Sequence, residues 1–107
     1  MSLRMPQSLS KGPQSNAAMN VLDVELASEK AANLGRLAKA VQASLAMLAA
    51  LPAGASPEQR AAQVQTASAA VWRFFVQREM CGALDHGEAI VLYAIPPEVL
   101  AQVGSSR

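Results

Sequence analysis

Leu51-Pro52-Ala53-Gly54-Ala55-Ser56-Pro57-Glu58-Gln59 is the stretch whose reading decides the fold. Two prolines and a glycine inside nine residues interrupt any regular element, so the chain must turn here. The same residues open a helix. Ser56 is placed to accept from the first unbonded backbone N–H groups, and Pro57 suits the first helical position. Gln59 reaches back to Ser56 and completes a capping box. A helix therefore starts at the far side of a short turn, and what precedes the turn decides the architecture.

Working upstream, residues from about Asn16 to Leu51 follow a helical period. Val24, Ala27, Ala31, Leu34, Ala38, Val41, Leu45 and Leu48 recur at alternating spacings of three and four, a coiled-coil-like seam. Leu22, Leu26 and Leu37 widen the stripe beyond what one neighbouring helix needs. Ala27, Ala31, Gly35 and Ala38 form a face of small residues that would admit another helix closely. Downstream, a second helix is expected from Pro57 to about Cys81. Its apolar face is Val64, Ala67, Val71, Phe74 and Phe75, flanked by Trp72, with Gly82 ready to close it in the left-handed conformation. Two long helices joined by a short turn make an antiparallel hairpin.

The remainder is two short helices. Asp85 is expected to cap a helix over His86 to about Ala94, paired with Glu88, and Pro96 ends it. Pro97 and Glu98 begin another short helix, which Gly104 closes. Ile90, Tyr93, Ile95, Val99 and Leu100 supply aliphatic and aromatic mass, which is expected to pack on the hairpin. Residues 1–15 are rich in Ser, Gln, Pro and Lys without a hydrophobic period and read as a disordered leader, leaving a helical domain over residues 16–104. The fold class is all-α: a long antiparallel hairpin with two short C-terminal helices, becoming a four-helix bundle on dimerisation.

Composition explains why a second copy is expected. Apolar residues make up 51% of the 107, but 22 of those residues are alanine, which buries little area. A single hairpin would have a thin core, and self-association thickens it. Leu26, Leu34, Leu37, Val41, Leu45, Val71, Trp72 and Phe75 would then be divided between contacts within one chain and contacts across a homodimer. Charge is uneven. Residues 1–78 hold eight basic and four acidic side chains, whereas residues 79–106 hold four acidic and no basic ones. Either this is ordinary surface scatter, or the acidic tail lies against a basic hairpin, its own or a partner's.

Composition also bears on compartment. The apolar run Ala43 to Leu51 stops at Pro52, well short of the roughly 20 residues that span a bilayer. No apolar secretory core stands at the N-terminus, so a cytoplasmic location without membrane attachment is expected.

The reactive side chains concentrate in Arg78-Glu79-Met80-Cys81-Gly82-Ala83-Leu84-Asp85-His86. Glu79, Cys81, Asp85 and His86 are metal-ligand types, yet their spacing matches no closed zinc pattern. The plainer reading is a helix end followed by a capped helix start, with Cys81 buried as a small hydrophobe. A Cys81/His86 nucleophilic pair would need a thiolate. The negative end of a helix dipole and Glu79 oppose one, and no orienting third group is in view. No catalytic residue, resident cofactor or metal is expected on this basis. Nucleic-acid recognition needs cations to neutralise phosphate; the tail has none, and Lys30, Arg36 and Lys39 make only a small basic face. Trp72, Phe74 and Phe75 at helical spacing read as core or interface rather than as a ligand box.

Three stretches resemble an uncharacterised bacterial family of short all-helical proteins, one of the domain-of-unknown-function families. They are Val21-Leu22-Asp23 through Leu37; Val71-Trp72 through Val76-Gln77-Arg78-Glu79 to Cys81-Gly82 and Asp85-His86; and Tyr93 to Gly104 around Ile95-Pro96-Pro97-Glu98-Val99-Leu100. The resemblance implies a compact helical module from a bacterial source and no assigned activity. The functional expectation is a non-enzymatic module that self-associates and acts through protein contacts. The alternative is a small-molecule or metal-binding protein using the turn around Cys81 to His86.

Overall fold

In a computed structural model, residues 13–104 are described, with side chains described from Asn20 to Gly104. They form four helices and no strand: α1 (Pro13–Ala49), α2 (Pro57–Met80), α3 (Gly87–Leu92) and α4 (Pro97–Gln102). Helix α1 begins three residues before the start expected from the hydrophobic period. Most of the expected leader, residues 1–12, lies outside the described residues. The chain divides into two compact units, one ending at Ala31 and one beginning at Ala32.

The turn forms as its residues dictate. Leu51 N donates to Leu48 O at 3.3 Å and Ala55 N to Pro52 O at 2.9 Å, reversing the chain in a few residues. Ser56 sits in extended backbone at φ −70° and ψ 157°. Its Oγ accepts from Gln59 N at 3.0 Å, while its own N–H donates to Gln59 Oε1 at 2.8 Å. Both halves of the expected capping box are made, an arrangement in which losing the cap hydroxyl costs about 1 kcal/mol.

In the second unit, the two long helices and the tail share one core. Val41 and Leu48 of α1 meet Val64, Ala67, Ala70, Val71 and Phe74 of α2, with Ala89, Ile95 and Val99 from the tail. Gln63 Nε2 donates to Ser44 O at 3.1 Å, a direct tie between the long helices. The tail packs as its aliphatic content requires: Ile95 and Val99 are buried, and Ile90, Tyr93 and Leu100 pack half-buried against the same core. One buried polar group serves this contact. Ser68 Oγ lies 2.7 Å from Val64 O and 3.0 Å from Val99 O. Val99 O belongs to the last turn of α4, and the Ser68 hydroxyl, with one proton to donate, stands within reach of it and of Val64 O.

In the first unit, Asn20 to Ala31 are exposed throughout. The expected seam therefore divides. Leu34, Ala38, Val41, Leu45 and Leu48 are buried or half-buried, whereas Val24, Ala27 and Ala31 are exposed.

Three local expectations are corrected. Asp85 does not form a capping box with Glu88; its Oδ1 accepts from Gly87 N at 2.9 Å, two residues on, and His86 occupies the cap position without a side-chain cap bond. A side chain tied to the second residue ahead turns the backbone before the helix instead of capping it. Helix α3 also ends at Leu92, before Ala94, because Ala94 takes φ 51°. Ile95 N then donates to Ile90 O and Ala94 N to Val91 O, the same closure that Gly82 at φ 97° makes after α2. Cys81, expected to be buried, is exposed. It is the C-cap residue of α2.

Candidate functional site

The reactive cluster predicted around residues 78–86 condenses into a joint between α2 and α3. His86 lies flat on Phe75, ring centroids 4.1 Å apart and planes 3° from parallel. Arg78 Nε approaches His86 Nδ1 at 3.1 Å, and Arg78 Nη2 donates to Asp85 O at 2.9 Å. On the other edge of the ring, His86 Nε2 lies 2.9 Å from Glu79 Oε2. A guanidinium N–H can only donate, so Nδ1 accepts and the ring proton resides on Nε2, donated to the Glu79 carboxylate. The planar fork of Arg78 thus holds both the ring and the backbone that precedes it. Its Cζ also lies 5.8 Å from the centroid of Phe74, which makes an edge-on contact with Tyr93 at 5.5 Å.

This geometry decides what the cluster can do. Each ring nitrogen of His86 already has a protein partner, and a guanidinium stands where a cation would approach Nδ1. Glu79 and His86 come together, but Asp85 turns its carboxylate to Gly87, and Cys81 faces solvent with Gln77 Nε2 at 3.9 Å from its Sγ. Among the described residues, no three His, Cys, Asp or Glu side chains gather into a group that could hold a metal ion. The cluster fits an orienting joint. Arg78 as its organiser was not singled out by the sequence, because its partner His86 lies eight residues on, beyond the end of α2, where the helical period no longer holds.

Elsewhere in the second unit, an open groove of about 690 Å³ runs between the last turns of α1, the start of α2 and the α3–α4 link. Leu45, Leu48, Leu51, Tyr93 and Pro96 line it, and Arg60 pairs with Glu98 at its edge. That pair brings one acid of the tail against one base of the hairpin in the same chain. Both side chains are about half exposed, so its stabilisation is small.

The remaining candidates are apolar surfaces. Of the expected interface residues, Val41 and Val71 are wholly taken up by the core within one chain; Leu34, Leu37, Leu45 and Phe75 pack half-buried against it, and Trp72 is also half-buried. Leu26 is 54% exposed, and Val21, Leu22 and Val24 are more so. In the tail, Leu84, Val91 and Leu92 are each over 70% exposed. The small face of α1 is open at its centre: a Cβ placed on Gly35 would have nothing within 4 Å. Among the described residues, no helix is long and apolar enough to cross a membrane. No curated protein and no solved structure matches the chain. A family model does, over residues 1–107, and the chain belongs to that family, described as "Family of unknown function (DUF6665)".

Proposed function

We propose that this chain is a non-enzymatic helical module that pairs with a second copy of itself and acts through protein contacts. One observation carries the reading: Val21, Leu22, Val24 and Leu26 of α1 are all more than half exposed. Helices are marginal in water unless packing supports them, and four aliphatic side chains within six residues favour a covered over an open helix. The alanine-rich core points the same way, since a thin core gains most from association. Two hairpins related by a two-fold axis would then form a four-helix bundle, the usual symmetry for such a pair. The interface would bury at least about 1,000 Å² in total, the lower limit for a specific contact. The rival reading, a ligand or metal site at the turn from Cys81 to His86, is disfavoured by the pairing of both His86 nitrogens.

Sedimentation equilibrium at micromolar concentration tests this reading. A species of twice the 11.2 kDa chain mass is expected. A cooperatively folded species at the single-chain mass would overturn it.

A further inference from the structure

We propose that the joint between α2 and α3 is a latch opened by a proton. When His86 takes a second proton, Arg78 leaves the ring, and the ring stays between Phe75 and Glu79. The donors around the ring carry this reading. Arg78 Nε lies 3.1 Å from His86 Nδ1 and has only an N–H to offer, so the contact exists only while Nδ1 keeps a lone pair. A protonated imidazole has two N–H donors, and no orientation of that ring offers Arg78 an acceptor. The guanidinium cannot give up its own proton in a protein. One of the two donors must therefore withdraw.

What else holds each group decides which one moves. His86 Nε2 lies 2.9 Å from Glu79 Oε2, and protonation turns that contact into a bond between opposite charges. Phe75 lies flat against the ring with centroids 4.1 Å apart, and an aromatic face attracts a cation. Arg78 instead acquires a like-charged neighbour. Arg78 and Glu79 are the charged groups that bond to the ring from α2. On the link, Asp85 gives its carboxylate to Gly87 N at 2.9 Å. Glu88, the acid of α3, has no ion pair among the described residues, and Glu98 of α4 is taken by Arg60. The ring is therefore retained and Arg78 is expelled. Its Nη2 belongs to the same rigid plane as Nε, so the bond to Asp85 O loosens in the same movement and frees the link between the helices. Histidine is the ordinary side chain for a switch between about pH 5 and 8, and His86 is the chain's only one.

An NMR titration of the full chain from about pH 8.5 to 4.5 follows both partners. At the alkaline end the ring nitrogens should show a proton on Nε2 and none on Nδ1. The Arg78 Nε–H should there exchange with water at least about tenfold more slowly than that of the exposed Arg73. As His86 takes its proton, that protection should fall to the Arg73 level with the same midpoint, while the His86 ring protons keep the upfield displacement given by Phe75. In His86→Gln, which has no proton to take, the Arg78 signal should show no transition over this range. A proton found on Nδ1 at the alkaline end would overturn the latch. So would an Arg78 Nε–H that stays protected through the titration of His86, or a ring that leaves Phe75 while Arg78 stays. A transition that persists in His86→Gln would assign the change to another group and overturn it too.

Discussion

Gly35 and Ala94 occupy each other's preferred environments. Gly35 lies inside a helix, where glycine costs about 1 kcal/mol relative to alanine, and nothing stands within 4 Å of where its Cβ would be. Gly35→Ala should therefore raise unfolding stability by about 1 kcal/mol in a denaturant titration. Ala94 is the converse case. At φ 51° it holds the left-handed conformation that costs a residue with a Cβ roughly 1–2 kcal/mol. Ala94→Gly relieves that strain and loosens the unfolded chain, for a net gain of about 0.5–1 kcal/mol. A fall in melting temperature for either variant would contradict these accounts. Ser68 shows a different kind of dependence: Ser68→Ala removes the buried hydroxyl that stands between Val64 O and Val99 O and should cost about 1–3 kcal/mol.

At the scale of elements, the angle between α2 and α3 rests on Arg78 and His86. Arg78→Lys keeps the charge but offers one compact ammonium where two separate donors serve His86 Nδ1 and Asp85 O. His86→Ala removes the stack on Phe75 together with both polar contacts. We expect stability losses of about 1 kcal/mol for the lysine variant and about 1–3 kcal/mol for the alanine variant. Hydrogen exchange should quicken over residues 87–95 in both, with α1 and α2 protected as in wild type. Uniform acceleration along the whole chain would mean that the joint is no separate element. The starts and stops of α2 were legible in the sequence because Ser56, Pro57, Gln59 and Gly82 act on neighbours within three residues. The start of α3 was misread because Asp85 has two local options of similar range, and the backbone leading out of the Arg78 joint selects the turn over the cap.

For the whole molecule, Leu26 separates association from folding. Leu26→Glu puts a charge into the proposed contact while leaving the core of the second unit untouched, since Leu26 is outside that core. The variant should sediment as a monomer and keep the hydrogen-exchange protection of residues 88–100 that the buried Ile95 and Val99 provide. Joint loss of the dimer and of that protection would show that the second unit does not fold without the contact, contrary to the core described above.

The sequence by itself determined that the chain is helical, where it reverses and that its tail packs, because caps, glycine stops and hydrophobic period act through neighbours along the chain. It also placed Leu34, Val41, Leu45, Leu48, Val71 and Phe74 on packing faces. Only the tertiary structure decided how far the seam of α1 is covered, since burial depends on the partner and the period reads alike at Val24 and at Val41. The same holds for the partners of His86, for Arg60 with Glu98 and for Ser68 with Val99 O, which lie 38 and 31 residues apart in the last two cases. Contacts at such separations come from packing, and no local pattern encodes them.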